Sequence, residues 1–94
     1  MFGLSHKDIS VIKKIIYKHS NVEKIIIFGS RARGDYQRGS DVDLVILGKN
    51  LEKVYTEIKS DLRESNLIYK FDIIVHEKAN EKLKKEIDNY GKAF

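Results

Sequence analysis

The sequence predicts a domain of the α/β (α+β) class, in which a small sheet is covered by helices. Two observations lead to this class. Apolar residues recur three and four positions apart in some segments, as on one face of a helix, and form short β-branched runs in others. The two kinds of segment follow one another in the order α-β-(α)-β-α-β-α, and strands interleaved with helices form a sheet covered by helices. The pattern leaves the order and the direction of the strands open.

The first half of the chain supplies one helix and one strand. Ser5 and Asp8 form a capping arrangement that opens a helix ending near residue 19. One face of this helix is apolar and consists of Ile9, Ile12 and Ile16. Residues 22–28 are a β-branched apolar run that ends at a glycine, which is typical of a strand. Residues 29–40, rich in Gly, Ser and Arg, are predicted to form a loop with room for a short helix.

The second half supplies two more strands and two more helices. Residues 41–47 and 67–75 are the predicted strands. Asn50 and Asn80 stand where the N-caps of the helices are expected, because an asparagine side chain accepts a hydrogen bond from the first turn. The apolar faces after these caps are formed by Leu51, Val54, Tyr55, Ile58 and Leu62 in the first helix and by Leu83, Ile87 and Tyr90 in the second.

The composition excludes several classes of protein. With 94 residues the chain is expected to form one domain, over residues 1–94. No apolar run approaches the roughly 20 residues that a membrane-spanning helix needs, so no membrane association is expected. The net charge of +4 favours polyanionic partners such as nucleotides, but the lysines are dispersed and direct nucleic-acid binding is not indicated. The absence of cysteine excludes disulfides and thiolate metal sites and makes a reducing cytoplasm the expected location.

Asp41 and Asp43 are the first candidate functional residues. Residues two apart on a strand point to the same face, with Cα atoms roughly 6–7 Å apart, so the two carboxylates are expected side by side. A divalent cation that binds both would offset their repulsion, and Mg²⁺ is usually held by one or two carboxylates together with substrate phosphates. On the pattern alone, Asp-Val-Asp is also typical of a plain strand start after a turn, so both interpretations stay open.

Asp72 is unusual because it lies within the apolar run of residues 67–75. A buried carboxylate is costly unless a partner stabilises it. One interpretation places Asp72 on the solvent face of an edge strand. The other places it beside Asp41 and Asp43 on a neighbouring strand. There it would complete a three-carboxylate site for two metal ions, which align an attacking oxygen with a leaving phosphate oxygen.

A third candidate feature follows the first strand, in the segment Phe28-Gly29-Ser30-Arg31-Ala32-Arg33-Gly34. Glycine lets the backbone turn sharply and approach a ligand closely, and the free N–H groups of a following short helix bind phosphate. Ser30 adds a hydroxyl, and Arg31 and Arg33 can pair with phosphate oxygens. Taken alone, Gly-Ser favours a plain strand-to-helix turn. Together with the carboxylates it indicates phosphoryl or nucleotidyl transfer, which depends on positioning and charge neutralisation.

The spacing of these residues resembles a known family. Gly29-Ser30, ten intervening residues and Asp41-Val42-Asp43 are similar to the Gly-Ser-x10-Asp-x-Asp motif of the DNA polymerase beta-type nucleotidyltransferase superfamily. The longer segment IIIFGSRARGDYQRGSDVDLVIL resembles the minimal nucleotidyltransferases (MNT) of bacteria and archaea. The resemblance covers roughly residues 5–91. It implies the nucleotidyltransferase fold, with a small mixed sheet of three strands and room for an extra edge strand.

The resemblance also implies a role for each motif residue. Gly29 and Ser30 would hold the β- and γ-phosphates of a nucleotide, usually ATP. Asp41 and Asp43 would bind Mg²⁺, with two ions expected, and Asp72 would help to hold the catalytic metal and activate the acceptor hydroxyl. Three further residues lie at less constrained positions of the family and are candidates for phosphate contacts: Arg31, Arg33 and Ser40.

The resemblance implies a partner as well. Minimal nucleotidyltransferases are typically encoded beside a HEPN-domain protein. The pair resembles a toxin–antitoxin system in which the antitoxin moves AMP from ATP onto a tyrosine of the HEPN ribonuclease. This protein is therefore expected to act as an AMPylating antitoxin in a hetero-oligomer. Two alternatives stay open: a non-catalytic antitoxin that covers its partner's surface, and an enzyme that transfers a nucleotide to a small molecule or an RNA end.

Overall fold

The helices and strands follow the predicted order. The computed structural model describes residues 1–94. Its elements are α1 (His6–Tyr17), β1 (Val22–Phe28), α2 (Gly29–Arg33), β2 (Val42–Gly48), α3 (Leu51–Glu64), β3 (Phe71–Val75), a 3₁₀ turn (His76–Lys78), α4 (Glu81–Tyr90) and β4 (Lys92–Ala93). This arrangement confirms the predicted α/β class, and β4 is the extra edge strand that the family resemblance allowed. None of the helices has the length and apolar character that crossing a membrane requires.

The four strands form one mixed sheet in the order β3-β2-β1-β4. β1 is antiparallel to both β2 and β4, whereas β2 and β3 are parallel. The parallel pair is joined through α3, because parallel strands need a crossover connection. The strand order and directions, which the sequence left open, are thereby settled, and β3 is an edge strand.

The side chains of β2 point alternately to the two faces of the sheet. Three apolar residues at alternate positions are fully buried and pack in the main core with residues of α1 and α3: Val42, Leu44 and Ile46. Val45 points to the opposite face, where it packs in a smaller cluster with Ile87 of α4. Asp43 has the same parity as Val45 and therefore lies on the face that α4 covers.

Two of the three predicted helix caps form. The Ser5 side chain accepts a hydrogen bond of 3.0 Å from the Asp8 N–H, and the Asn80 side chain accepts one of 2.8 Å from the Leu83 N–H. Asn50 precedes α3 as predicted, but its side chain makes no capping bond. Its backbone is left-handed, with φ of 55°, whereas a capping side chain reaches the first turn from an extended backbone.

The third strand is shorter than the sequence predicts. β3 begins at Phe71 rather than at residue 67. The preceding groups bond elsewhere: the Leu67 N–H donates to Ser65 Oγ at 3.3 Å, and the Tyr69 hydroxyl donates to the Asp8 carboxylate at 2.7 Å. The Tyr69 contact ties this segment to the first turn of α1 instead of adding it to the sheet.

Ile46→Ala tests how much stability the main core draws from β2. Ile46 is fully buried, and truncation of a buried isoleucine costs about 2–5 kcal/mol of unfolding free energy through lost burial and a residual cavity. Chemical denaturation monitored by circular dichroism measures the loss. The matched control is Ile68→Ala, whose side chain is 89% exposed and whose truncation should cost less than about 0.5 kcal/mol. Equal losses in the two variants would contradict the assigned core.

Candidate active site

Three aspartates lie at or just before the starts of β2 and β3. In the parallel register, Asp43 of β2 is the direct partner of Asp72 of β3. Asp41 lies two residues before Asp43, next to the first residue of β2. Asp43 is half-buried, whereas Asp41 and Asp72 are exposed. Both interpretations of Asp72 therefore hold in part, because it is exposed on an edge strand and also lies beside Asp43.

The pKa of Asp43 reflects its partial burial and the negative charges around it. It rises from its ordinary value of 3.8 to about 6, first because partial burial removes the carboxylate from water and then because Asp72 and Asp41 repel its charge. Glu86 of α4 adds to the repulsion, and Arg33 opposes it. The strand pair therefore holds an excess of negative charge that Arg33 neutralises only in part.

Gly29 brings the turn after β1 against the carboxylates of Asp41, Asp43 and Asp72, here called the carboxylate group. The residue before it, Phe28, is the register partner of Asp43. Gly29 has φ of +73°, and a Cβ at this position would collide with the Asp43 carboxylate. Glycine is thus needed both for the left-handed backbone and for the close approach. The first N–H groups of α2, which include that of Ser30, lack helical acceptors and have no side-chain cap.

Arg33 lies at the end of α2 and is paired with acidic residues on the surface. Its guanidinium is 2.9 Å from the Glu86 carboxylate and 3.3 Å from that of Asp35. The hydrogen bond to Asp35 is the main cause that raises the pKa of Arg33. Exposed pairs of this kind contribute little stability, so an incoming anion can replace them at low cost. Arg33 therefore remains a candidate for a phosphate contact.

Arg31, the other arginine predicted to contact phosphate, belongs to the framework of the site. Its guanidinium donates to the Ser40 carbonyl from Nε at 3.2 Å and from Nη2 at 2.9 Å. Nη1 donates to the Phe2 carbonyl at 2.9 Å, and the guanidinium lies 5.3 Å from the ring centroids of both Tyr36 and Tyr69. These contacts hold the buried guanidinium to the loop before Asp41, and its predicted phosphate contact stays a prediction.

Ser40 also fixes the loop that leads into β2. Its hydroxyl accepts a hydrogen bond of 2.8 Å from the Gln37 N–H, and its carbonyl receives the two bonds from Arg31. Both polar groups of Ser40 thus act on the loop immediately before Asp41. Ser40 therefore helps to position Asp41, and its predicted phosphate contact stays a prediction.

Sequence reasoning missed three residues that shape the site. Glu86 precedes Ile87, whose burial against the sheet brings the acid within electrostatic reach of Asp43. This placement depends on the face of the sheet that α4 covers. The periodicity of α4 does not indicate that face. Tyr36 and Tyr69 contact Arg31 from two segments without regular structure. No periodic pattern in such segments predicts these contacts.

The carboxylate group suits a divalent cation without being a preformed metal site. No three Asp, Glu, His or Cys side chains are arranged so that they could hold a metal ion as they stand. Asp43 and Asp72 are nonetheless paired in register, and a bound cation would offset the repulsion that raises the pKa of Asp43. Mg²⁺ takes few protein carboxylates and completes its shell with waters and substrate phosphates. The residues present therefore fit this metal.

Comparison with known families decides the class of the protein. The family model described as polymerase beta, nucleotidyltransferase matches residues 10–94. The chain belongs to this family. The match confirms the resemblance indicated by the Gly-Ser and Asp-x-Asp motifs and identifies the protein as a nucleotidyltransferase.

One sequence relative and two solved structures are informative. A protein of Methanocaldococcus jannaschii, whose name places it provisionally among the protein adenylyltransferases, is 37% identical over 90% of this chain and 86% of its own length. A crystal structure of a toxin–antitoxin with AMP-PNP aligns with a TM-score of 0.74 and 24% identity, over 96% of this chain and 72% of that chain. A complex of a tri-AMPylated Shewanella oneidensis HEPN toxin with an MNT antitoxin aligns with a TM-score of 0.55 and 19% identity, over 89% of this chain and 65% of that chain. Together with the family match, these likenesses confirm the predicted nucleotidyltransferase fold.

Asp43→Asn tests whether Asp43 carries an unfavourable charge in the folded protein. Because its folded pKa lies above its unfolded value, a proton on Asp43 stabilises the folded state, and this stability is lost as the pH rises from 3.8 through about 6. At pH 8 in EDTA, the variant should therefore be more stable than wild type by on the order of 1 kcal/mol, after allowance for solvent screening. Urea denaturation at pH 3.8 and pH 8 measures the difference, which should nearly vanish at the lower pH.

The matched control for this prediction is Asp88→Asn, since Asp88 is an exposed acid of α4. This control should change stability little at either pH. Added Mg²⁺ should stabilise wild type and the control more than it stabilises the Asp43 variant. A gain in the Asp43 variant that is equally large at both pH values would point to packing and contradict the charge explanation.

Proposed function

We propose that this nucleotidyltransferase uses Mg²⁺ to move AMP from ATP to a hydroxyl group of a partner protein. The proposed acceptor is a tyrosine of a HEPN-domain ribonuclease toxin, which the protein neutralises as an antitoxin in a hetero-oligomer. The observation that carries the proposal is the direct register between Asp43 and Asp72 beside the Gly29 turn. It joins a turn suited to phosphates with carboxylates suited to a metal in one place.

The relatives support the choice of donor and acceptor. The Methanocaldococcus relative carries a protein adenylyltransferase name, and one structural neighbour is a toxin–antitoxin with AMP-PNP, an analogue of ATP. Another neighbour contains a HEPN toxin that is tri-AMPylated, in complex with an MNT antitoxin. The transfer of these properties to this chain is an argument by analogy of fold and family. We expect the reaction to take place in the cytoplasm.

Each residue of the site has a task in the proposed reaction. Gly29 and Ser30, with the first N–H groups of α2, hold the β- and γ-phosphates of ATP. Asp41, Asp43 and Asp72 would hold Mg²⁺, and the bound metal would supply charge neutralisation of the phosphates. The acceptor oxygen forms a bond to the α-phosphorus while the bond from that phosphorus to the pyrophosphate oxygen breaks. Asp72, the exposed carboxylate on the edge strand, takes the proton of the acceptor hydroxyl.

Label transfer from α-labelled ATP tests the proposal. The protein is incubated with Mg²⁺ and this ATP, with and without the HEPN-domain protein encoded beside it, and the masses of both proteins are measured. The partner should gain one or more AMP units, and EDTA should abolish the gain. In the double variant Asp41→Asn/Asp43→Asn, the rate should fall by about a thousandfold or more, because the metal and the charge it neutralises are lost. Asp88→Asn should retain the activity of wild type.

Other outcomes would favour the two alternatives. If the double variant protects cells from the partner as well as wild type does, the protein neutralises its partner by covering it, and the catalytic proposal fails. If label appears on a small molecule or an RNA end when no partner is present, the acceptor class is wrong although the transfer chemistry is right.

A further inference from the structure

A cavity of about 570 Å³ opens beside Asp41, and the proposed function makes no use of it. The side chains that determine its chemistry are Arg31, Tyr36, Arg38, Asp41, Tyr69 and Lys70. Neither Gly29 nor Ser30 lines this cavity. The cavity thus opens at Asp41, apart from the turn proposed for the phosphates.

The charge of the cavity lining favours an anion. Three cations, Arg31, Arg38 and Lys70, line it together with a single carboxylate, Asp41. None of the three cations takes part in an ion pair of the protein. Their positive charge is therefore available to a ligand, and cations gathered around a recess attract anionic groups into it.

Arg31 is the buried component of this charge. A guanidinium has five N–H donors, and three of those in Arg31 go to the carbonyls of Phe2 and Ser40. One N–H on Nη1 and one on Nη2 are left, the number that a carboxylate or a phosphate accepts in a bidentate pair. The side chain is only 4% exposed, and a buried cation without a counter-ion is costly. An anion in the cavity would add a counter-ion to the two tyrosine rings that already face the guanidinium.

The position of the cavity indicates which substrate it serves. The Gly29 turn reaches the carboxylate group at Asp43, whereas the cavity reaches it at Asp41. Two molecules that react at one centre need separate approaches to it. With the phosphates of the donor proposed over the turn, this cavity stays free for an anionic part of an acceptor whose hydroxyl lies at Asp72. Ile68, which is 89% exposed and also lines the cavity, offers an apolar contact to an incoming molecule.

We propose that this cavity binds an anionic group of the acceptor and thereby positions the acceptor hydroxyl. The inference rests on the proposed function, since it assumes that an acceptor is modified at the carboxylate group. The ligand chemistry is a carboxylate or a phosphate carried close to the hydroxyl. It has two possible sources: an acidic side chain of the acceptor protein, or the phosphate of an AMP that an earlier transfer has already attached.

Direct binding measurements test the cavity without requiring catalysis. The isotope-labelled protein is saturated with Mg²⁺ and a non-hydrolysable ATP analogue, so that the donor side is filled. It is then titrated separately with AMP and with N-acetylglutamate. Amide NMR signals of residues 38–41 and 70 should shift with at least one probe. The double variant Arg38→Ala/Lys70→Ala should bind that probe about tenfold more weakly or worse, because charged hydrogen bonds are lost.

A matched variant separates a local effect from the loss of two positive charges. Lys14 and Lys53 are exposed lysines of α1 and α3 that do not line the cavity. Lys14→Ala/Lys53→Ala should therefore bind both probes as wild type does. A response to AMP alone identifies the attached nucleotide as the source of the anion, and a response to N-acetylglutamate alone identifies an acidic side chain. If neither probe shifts these signals, or if both double variants weaken binding equally, the proposal is overturned.

A kinetic readout connects the cavity to the acceptor. With the partner protein as substrate, Arg38→Ala/Lys70→Ala should raise the KM for the partner by about tenfold or more and leave the KM for ATP unchanged. A rise in the KM for ATP instead would place the cavity on the donor side and overturn the proposal. If no variant transfers AMP to any partner, the proposed function fails, while the NMR titrations still decide whether the cavity binds anions.

Discussion

The rest of the structure depends on the parallel pairing of β2 with β3, because this pairing places Asp43 and Asp72 side by side. Partial burial and repulsion then raise the pKa of Asp43, so the arrangement weakens the folded state near neutral pH. The opposite face of β2 compensates for this. Its apolar residues are fully buried between the sheet and the helices α1 and α3, and burial of apolar surface stabilises by roughly 25 cal/mol per Å². The apolar core thus stabilises a fold in which two carboxylates that repel each other lie side by side.

A second constraint acts on the loop between α2 and β2, which has little regular structure and yet must deliver Asp41 to the site. Arg31 provides the constraint through two hydrogen bonds to the carbonyl of Ser40, the residue directly before Asp41. Bonds from a charged donor are roughly twice as strong as neutral ones. Gly3 closes the same cluster: its φ is +71°, and a Cβ there would lie 2.5 Å from Cε2 of Tyr36. The first arginine of the segment after Gly-Ser therefore serves the architecture of the site, and the chain before α1 is part of that architecture.

Features that depend on neighbours along the chain could be predicted from the sequence. The helix faces, the caps at Ser5 and Asn80 and the adjacency of Asp41 and Asp43 are of this kind, because each follows from local spacing. The place of Asp72 depends on strand order, which periodicity does not encode, so the acid within an apolar run left two interpretations open and the family pattern favoured one of them. Arg31 was predicted to contact phosphate because an arginine after Gly-Ser suits that role. Its burial results from tyrosines of distant segments, and no local pattern reveals such a contact.

The carboxylate group can be reached from the Gly29 turn and from the exposed edge at Asp72. These two sides differ in structure, and the difference concerns the kind of acceptor that the site can take. At β1 the backbone of Gly29 lies against Asp43 so closely that no side chain fits. A backbone surface of this kind suits phosphates, which every nucleotide shares. At the other end Asp72 is exposed on an edge strand, and no element of the chain pairs with the far side of β3. A hydroxyl that reacts there needs walls to orient it, and besides the cavity at Asp41 and a smaller one of about 250 Å³ at Asp72, the acceptor itself would supply them. A folded protein brings such walls with it and a small molecule does not, which favours a protein as the second substrate.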